Sequence, residues 1–201
     1  TLIDLSREAG TPMMIGVNAI EAEPDRYQLY NSALYVDPQM GIRGRYDKLH
    51  RVPFGEFIPL QETLPFLRGF TPFSDDFGIA AGKHPVRFDD EKRGFSYAPL
   101  ICFEDTVPHV VRDIVRTTSR VQGETKPVDC LVNLTNDGWF HGSSELDQHL
   151  ITAAFRAVEC RTPLVRAVNT GISAYVNGDG EIVEPEVFID ADGKDRTSIR
   201  D

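Results

Sequence analysis

The feature that most narrows the possible folds is an apolar run ending in a cysteine, followed within a few residues by a helix pattern. Residues 94–102 (GFSYAPLIC) are short, apolar and bounded by turn residues, which marks a strand. Val107, Val110, Val111, Ile114 and Val115 then recur at helical spacing, with Pro108 tolerated in the first turn. The alternation continues downstream. Residues 128–134 read as a strand, and Ser144-Glu145-Leu146-Asp147 reads as an N-terminal capping box. Leu146, Leu150, Ala153, Ala154 and Ala157 make one face of the helix it opens. Residues 163–168 and 172–176 read as strands, and Asn177-Gly178-Asp179-Gly180 turns the second toward Glu181-Ile182-Val183. Strands and helices interleaved in this way predict an α/β fold.

The amino-terminal half is less regular. Leu2, Ile3 and Leu5 predict a helix stopped by Gly10, followed by a buried strand over residues 12–20. Residues 27–36 alternate and are rich in aromatic side chains, and the turn signals Asp37-Pro38 and Met40-Gly41 lead into residues 42–49. Residues 52–93 carry Pro53, Phe54, Phe57, Pro59, Pro65, Phe66, Phe70, Pro72 and Phe73 and have little periodicity. So long an irregular stretch with that apolar content predicts a packed functional loop. The tail from about residue 185 is acidic and weakly patterned.

At 201 residues the chain suits one compact domain over residues 1–201, and it contains no internal repeat. It opens in mid-pattern without an initiator methionine, so the reading takes it as a piece of something longer. No apolar run approaches the roughly 18 to 20 residues of a membrane helix. With 21 Lys+Arg against 31 Asp+Glu the net charge is −10, which argues against nucleic-acid binding through a basic face. That charge does not argue against a small-molecule or lipid substrate.

Few residues can carry chemistry. The three cysteines, Cys102, Cys130 and Cys160, cannot all pair, and no C-x-x-C spacing is present. Cys102 lies where a strand gives way to a helix start, a place that lowers a thiol's pKa and offers backbone N–H groups to an oxyanion. Its plain alternative is a buried strand cysteine. Glu104 and Asp105 beside it oppose thiolate formation unless a cation compensates. Lys48 is the candidate cation, and Glu56 follows eight residues later in a Pro- and Phe-rich setting where each is costly to bury unpaired. A surface ion pair is the alternative there. His50, His84, His109, His141 and His149 show no metal-ligand spacing, and His149 reads as a helix-face residue. Trp139-Phe140 is either the wall of an acyl pocket or an aromatic turn anchor.

Together these segments resemble a known family. The run from Tyr46-Asp47-Lys48 through Val52-Pro53-Phe54-Gly55-Glu56-Phe57 resembles the lysine motif of the nitrilase superfamily, and its Pro-Phe-Gly-Glu extension resembles the apolipoprotein N-acyltransferase branch. Leu100-Ile101-Cys102-Phe103-Glu104 resembles the nucleophile strand of that branch, with Phe103 where the family often has Tyr. Residues 133–140 (NLTNDGWF), Gln148-His149-Leu150, Arg156-Ala157-Val158-Glu159 and residues 166–171 (RAVNTG) follow in the family's order.

The resemblance implies a nitrilase-like αββα sandwich, here lacking its first strand or strands, with a Glu-Lys-Cys triad. It makes Cys102 the nucleophile, Lys48 the oxyanion stabiliser, Glu56 an accessory carboxylate and Glu104 a second functional acid. The general-base glutamate would lie before the helix that leads into the strand at residues 12–20, at a position not in this chain. Phe54, Phe103 and Trp139 are the candidate substrate contacts, and no metal or organic cofactor is implied. The implied partners are a phospholipid acyl donor and a diacylglyceryl lipoprotein acceptor at a bacterial inner membrane, with the catalytic domain on the periplasmic side and membrane helices upstream. Two other readings stay open, a soluble amidase-like hydrolase of the same superfamily and a catalytically inactive interaction domain.

Overall fold

The computed structural model describes residues 1–22, 27–60, 63–64, 66–67, 78–121, 123–138, 144–183, 188–189 and 195–196. The chain forms two compact units, Thr1–Val86 and Arg87–Asp201.

The first unit opens with helix α1 (Leu2–Ala9), capped by the Thr1 hydroxyl accepting from the Asp4 N–H and ended by Gly10 at φ 64°. Strands β1 (Met13–Ala22), β2 (Tyr27–Asp37) and β3 (Gly41–Asp47) make an antiparallel sheet in that order. Asp37 builds the β2–β3 turn, its carboxylate accepting from the N–H groups of Gln39 and Met40, and Gly41 takes φ 77°. β1 is not the buried strand that its apolar run predicts. Every residue in it is half-buried or exposed, because it sits at the sheet edge while the central β2 supplies Tyr30, Ala33, Tyr35 and Val36 to the core. After β3 the described chain is irregular, as the Pro and Phe content predicts. It is stitched back by Ala80 N–H to Leu29 O (2.7 Å) and Gly82 N–H to Lys48 O (2.8 Å).

The second unit begins with β4 (Phe88–Asp90) and β5 (Phe95–Ile101), and a single 3-10 turn, Cys102–Thr106, leads to α2 (Pro108–Thr118). The short β6 (Arg120–Val121) and β7 (Glu124–Thr125) pair with each other before β8 (Cys130–Asn136). Helix α3 (Glu145–Cys160) then precedes β9 (Leu164–Asn169), β10 (Ala174–Val176) and β11 (Ile182–Val183). β12 (Phe188–Ile189) and β13 (Asp195–Arg196) pair within the acidic tail. The main sheet runs β11-β10-β9-β8-β5-β4, with β5, β8 and β9 parallel and the flanking pairs antiparallel. Three parallel strands therefore end together, and ligands in open α/β sheets bind at such carboxyl ends. Leu100, Leu131 and Leu164 from these strands are fully buried, as are Val111 of α2 and Ala153 and Ala157 of α3.

Two local expectations change. Ser144 adopts helical angles (φ −60°, ψ −7°) and its side chain makes no cap bond, so the predicted capping box does not form. A capping serine needs extended backbone to turn its hydroxyl toward the first N–H groups. On α3, Ala154 is only half-buried, and the face also buries the polar His149 and Arg156.

Candidate active site

In the first unit Lys48 follows the last residue of β3, and its side chain is fully buried. An ammonium out of water needs a countercharge. Glu56 provides it, with Oε1 2.7 Å from Lys48 Nζ, while Oε2 accepts from the Val52 N–H at 2.8 Å. Both carboxylate oxygens are thus committed, one to the cation and one to the loop that carries the glutamate. The surface ion pair weighed from the sequence does not form. That loop is laced to residues 78–82. Ile79 N–H donates to Glu56 O (2.8 Å), and Arg51 reaches Ile79 O (2.9 Å) with its guanidinium 4.2 Å above the Phe57 ring. Gly82 comes so close that a Cβ there would lie 2.1 Å from Asp47 O.

In the second unit Cys102 is the first residue past β5. It takes φ 51°, the left-handed region that a residue with a side chain rarely adopts, and is partly exposed. It is neither a buried strand cysteine nor the N-terminal residue of α2. The 3-10 turn intervenes, so α2 starts six residues later, beyond reach of the thiol's first turn. Glu104 is fully buried and its carboxylate accepts from the Ile101 N–H at 2.7 Å, while the Thr106 hydroxyl donates to Phe103 O at 2.8 Å.

The carboxylate next in line, Asp105, has its own cations. Arg166 Nη1 lies 2.8 Å from Asp105 Oδ2, and His149 Nε2 lies 2.8 Å from Oδ1. His149 Nδ1 faces Asp137 Oδ1 at 3.0 Å, and Arg166 Nη2 meets Asp137 Oδ2 at 3.1 Å. Two imidazole nitrogens against two carboxylates must both carry protons, since a bare nitrogen would oppose an acceptor. Burial pulls His149 down, but its bonds to Asp105 and Asp137 and the Asp105 charge outweigh that, and its pKa is pushed up to about 9. For Asp137 burial pushes up, and the His149 bond and charge, the Thr135 hydroxyl and Arg166 together hold it below the ordinary carboxylate value. The cations that the sequence demanded for the carboxylates beside Cys102 therefore include Arg166 and His149. No local spacing reveals this, because His149 is 44 residues from Asp105 and Arg166 is 61.

The structure thus pairs Lys48 with Glu56 in one unit and sets Cys102 and Glu104 in one turn of the other. Phe54 is 47% exposed at φ 61°, and Phe103 is partly exposed in the cysteine turn. Trp139, Phe140, Phe70 and Phe73 lie outside the described residues. Burial pushes Cys130 up to about 11 and also raises Cys160. Among the described residues no three His, Cys, Asp or Glu side chains gather as metal donors, and no helix is long and apolar enough to cross a membrane.

Comparison with known proteins gives the family and the fold. The carbon-nitrogen hydrolase family model matches residues 1–194. The apolipoprotein N-acyltransferase of Geobacter metallireducens is 39% identical over 178 residues, covering 89% of this chain and 32% of the relative. That of Rhodopirellula baltica is 36% identical over 174 residues, covering 86% and 29%. The chain thus spans about a third of the length of these relatives. Among solved structures, the NitN amidase from Neterenkonia sp. AN1 aligns with a TM-score of 0.58 at 16% identity, over 90% of this chain and 60% of that one. The glutamine-dependent NAD+ synthetase from Acinetobacter baumannii gives 0.58 at 16%, over 86% and 29%. The nitrilase-like α/β fold and the match along nearly the whole sequence lead to one conclusion: the chain belongs to the carbon–nitrogen hydrolase family.

Proposed function

We propose that this chain is the catalytic segment of an apolipoprotein N-acyltransferase and that Cys102 is its nucleophile. The observation that carries the reading is the left-handed Cys102 turn at the carboxyl end of a parallel strand, which holds a partly exposed thiol on strained backbone. The choice of acyltransferase over amidase is supported by relatives of that name at up to 39% identity. It is supported too by the exposed apolar side chains Phe54, Leu60 and Phe66 in the loop that follows Lys48, which suit an acyl chain.

In this reading the Cys102 thiolate attacks the ester carbonyl of a phospholipid. A carbon–sulfur bond forms, the carbonyl oxygen takes the negative charge, and Lys48 stabilises it. Collapse breaks the carbon–oxygen ester bond, the lysophospholipid leaves with a proton, and a thioester remains. The amino-terminal amine of a diacylglyceryl-cysteine then attacks the thioester, forming an amide and returning the thiol. Glu56 keeps Lys48 charged and aimed, and Glu104 acts by holding the turn. On the family's pattern the general base is a glutamate N-terminal to α1, and the donor reaches the site from the periplasmic face of a bacterial inner membrane. Phe103 and Trp139 are assigned to the acyl pocket.

The test is intact-mass and peptide-mapping mass spectrometry of the full-length protein incubated with phospholipid. One acyl adduct on Cys102, lost in Cys102→Ala, is the expected result. An adduct that persists in Cys102→Ala overturns the assignment, and release of ammonia from small amides without acyl transfer would favour the amidase reading.

A further inference from the structure

The left-handed backbone of Cys102 is strained and persists only where its surroundings fix it. Glu104 and Thr106 bond within the turn itself. A third bond comes from the neighbouring strand β8, where Asn133 Nδ2 donates to the Cys102 carbonyl oxygen at 3.2 Å. The same amide nitrogen gives its other proton to Asp105 Oδ2. Reversing the amide would set Oδ1 against two oxygens, so this orientation is the one the surroundings permit. It has a cost: Asn133 is fully buried, and among the described residues its Oδ1 has no partner. A leucine would remove that orphan but leave the Cys102 carbonyl and Asp105 Oδ2 each short of a donor, so the residue is accounted for by the two bonds it makes.

We propose that Asn133 is the positioning residue for Cys102, and that a closed, charge-neutral ring of Asp105, His149, Asp137 and Arg166 aims it. The proposal rests on the reading of Cys102 as nucleophile. Asp105 can hold Asn133 because both its own oxygens are held, Oδ2 also by Arg166 and Oδ1 by His149. His149 continues to Asp137, and Asp137 returns to Arg166. The members come from the cysteine turn, from α3, from the residue that follows β8 and from β9, so the ring ties the elements around the strand ends to one carbonyl oxygen. All four side chains are buried, and two positive charges face two negative ones. Removing one charge leaves its partner uncompensated in a low-dielectric interior.

The experiment uses the full-length protein and reads kcat and KM of acyl transfer, the rate of Cys102 alkylation by iodoacetamide, and thermal unfolding. Asn133→Leu should stay folded, lower kcat by about 10- to 100-fold with KM within twofold, and change the alkylation rate at least fivefold. His149→Gln and Asp137→Asn should each lower kcat about tenfold or more, whereas the double variant, neutral again, should recover most of the loss. Multiplying losses in the double variant overturn the ring. If the single variants do not fold, Asn133→Leu and the double variant carry the test. Transfer that survives in Cys102→Ala overturns the nucleophile reading itself. Transfer that is lost in Cys102→Ala but unchanged, with unchanged alkylation, in Asn133→Leu overturns the positioning role alone.

Discussion

Raising the pH through 9 should loosen the second unit by removing the proton that closes its buried ring. His149 rises from an ordinary 6.5 to about 9 in the folded chain. At about 1.4 kcal/mol for each tenfold change in proton affinity, that gap corresponds to about 3 kcal/mol of stability. The folded value is the higher one, so the contribution is fully present below pH 6.5. It falls by about 1.4 kcal/mol per pH unit between 6.5 and 9 and is gone above 9. Asp137 acts in the opposite sense: its folded pKa is lowered, so its contribution holds above the unfolded 3.8 and is lost as acid takes the pH down through the folded value. The assay is thermal unfolding of the full-length protein from pH 5.5 to 9.5, wild type beside His149→Gln. Other groups titrate in both proteins and cancel in the difference. For a domain of this size about 3 kcal/mol is roughly 6–12 °C, so the wild type should lose that much more than the variant across the alkaline limb. Parallel curves would refute a protonated His149 in the ring.

Lys48→Met and Glu56→Gln should each cut acyl transfer by about 100- to 1000-fold in a protein that remains folded, measured as kcat, because an oxyanion stabiliser is worth roughly 2.7–4 kcal/mol. Gly82→Ala should cost at least about 2 kcal/mol by thermal unfolding and lower activity, since its Cβ would overlap the Asp47 carbonyl beside Lys48. At pH 7.5 iodoacetamide should modify Cys102 at least about tenfold faster than Cys130, whose thiol burial pushes up to about 11, as read by peptide mapping.

The elements were legible where one physical signal dominated. The Gly10 stop, the turn at Asp37, Pro108 opening α2 and the apolar run before Cys102 all lie where the sequence puts them. Edge position was not legible. Residues 12–20 carry the same apolar content as an inner strand, and only pairing shows that among the described residues β1 has one neighbour, β2. Ser144 carried the right residues for a cap, but backbone angles decide whether a hydroxyl reaches an N–H. In the candidate site, Lys48 and Glu56 lie eight residues apart on one loop, so local chemistry suggested their pairing. The bond from Asn133 to the Cys102 carbonyl and the ring behind it join residues tens of positions apart, and His149 read alone as a helix-face residue. Their neighbourhood exists only once β5, β8 and β9 align in parallel.

Glu56 grips Lys48 with one oxygen and its own loop with the other, and this makes loop length a chemical variable. An exposed side chain such as Phe54 can be exchanged while the chain between cation and carboxylate keeps its path. Adding or deleting a residue there shifts the carboxylate by about 3.3–3.8 Å, more than a hydrogen bond tolerates. The lysine would then sit in a dry interior without its counterion. Divergence in this stretch is therefore closed to insertion, and a designer grafting a new acyl specificity here has side chains such as Phe54 to vary and no freedom in the number of residues.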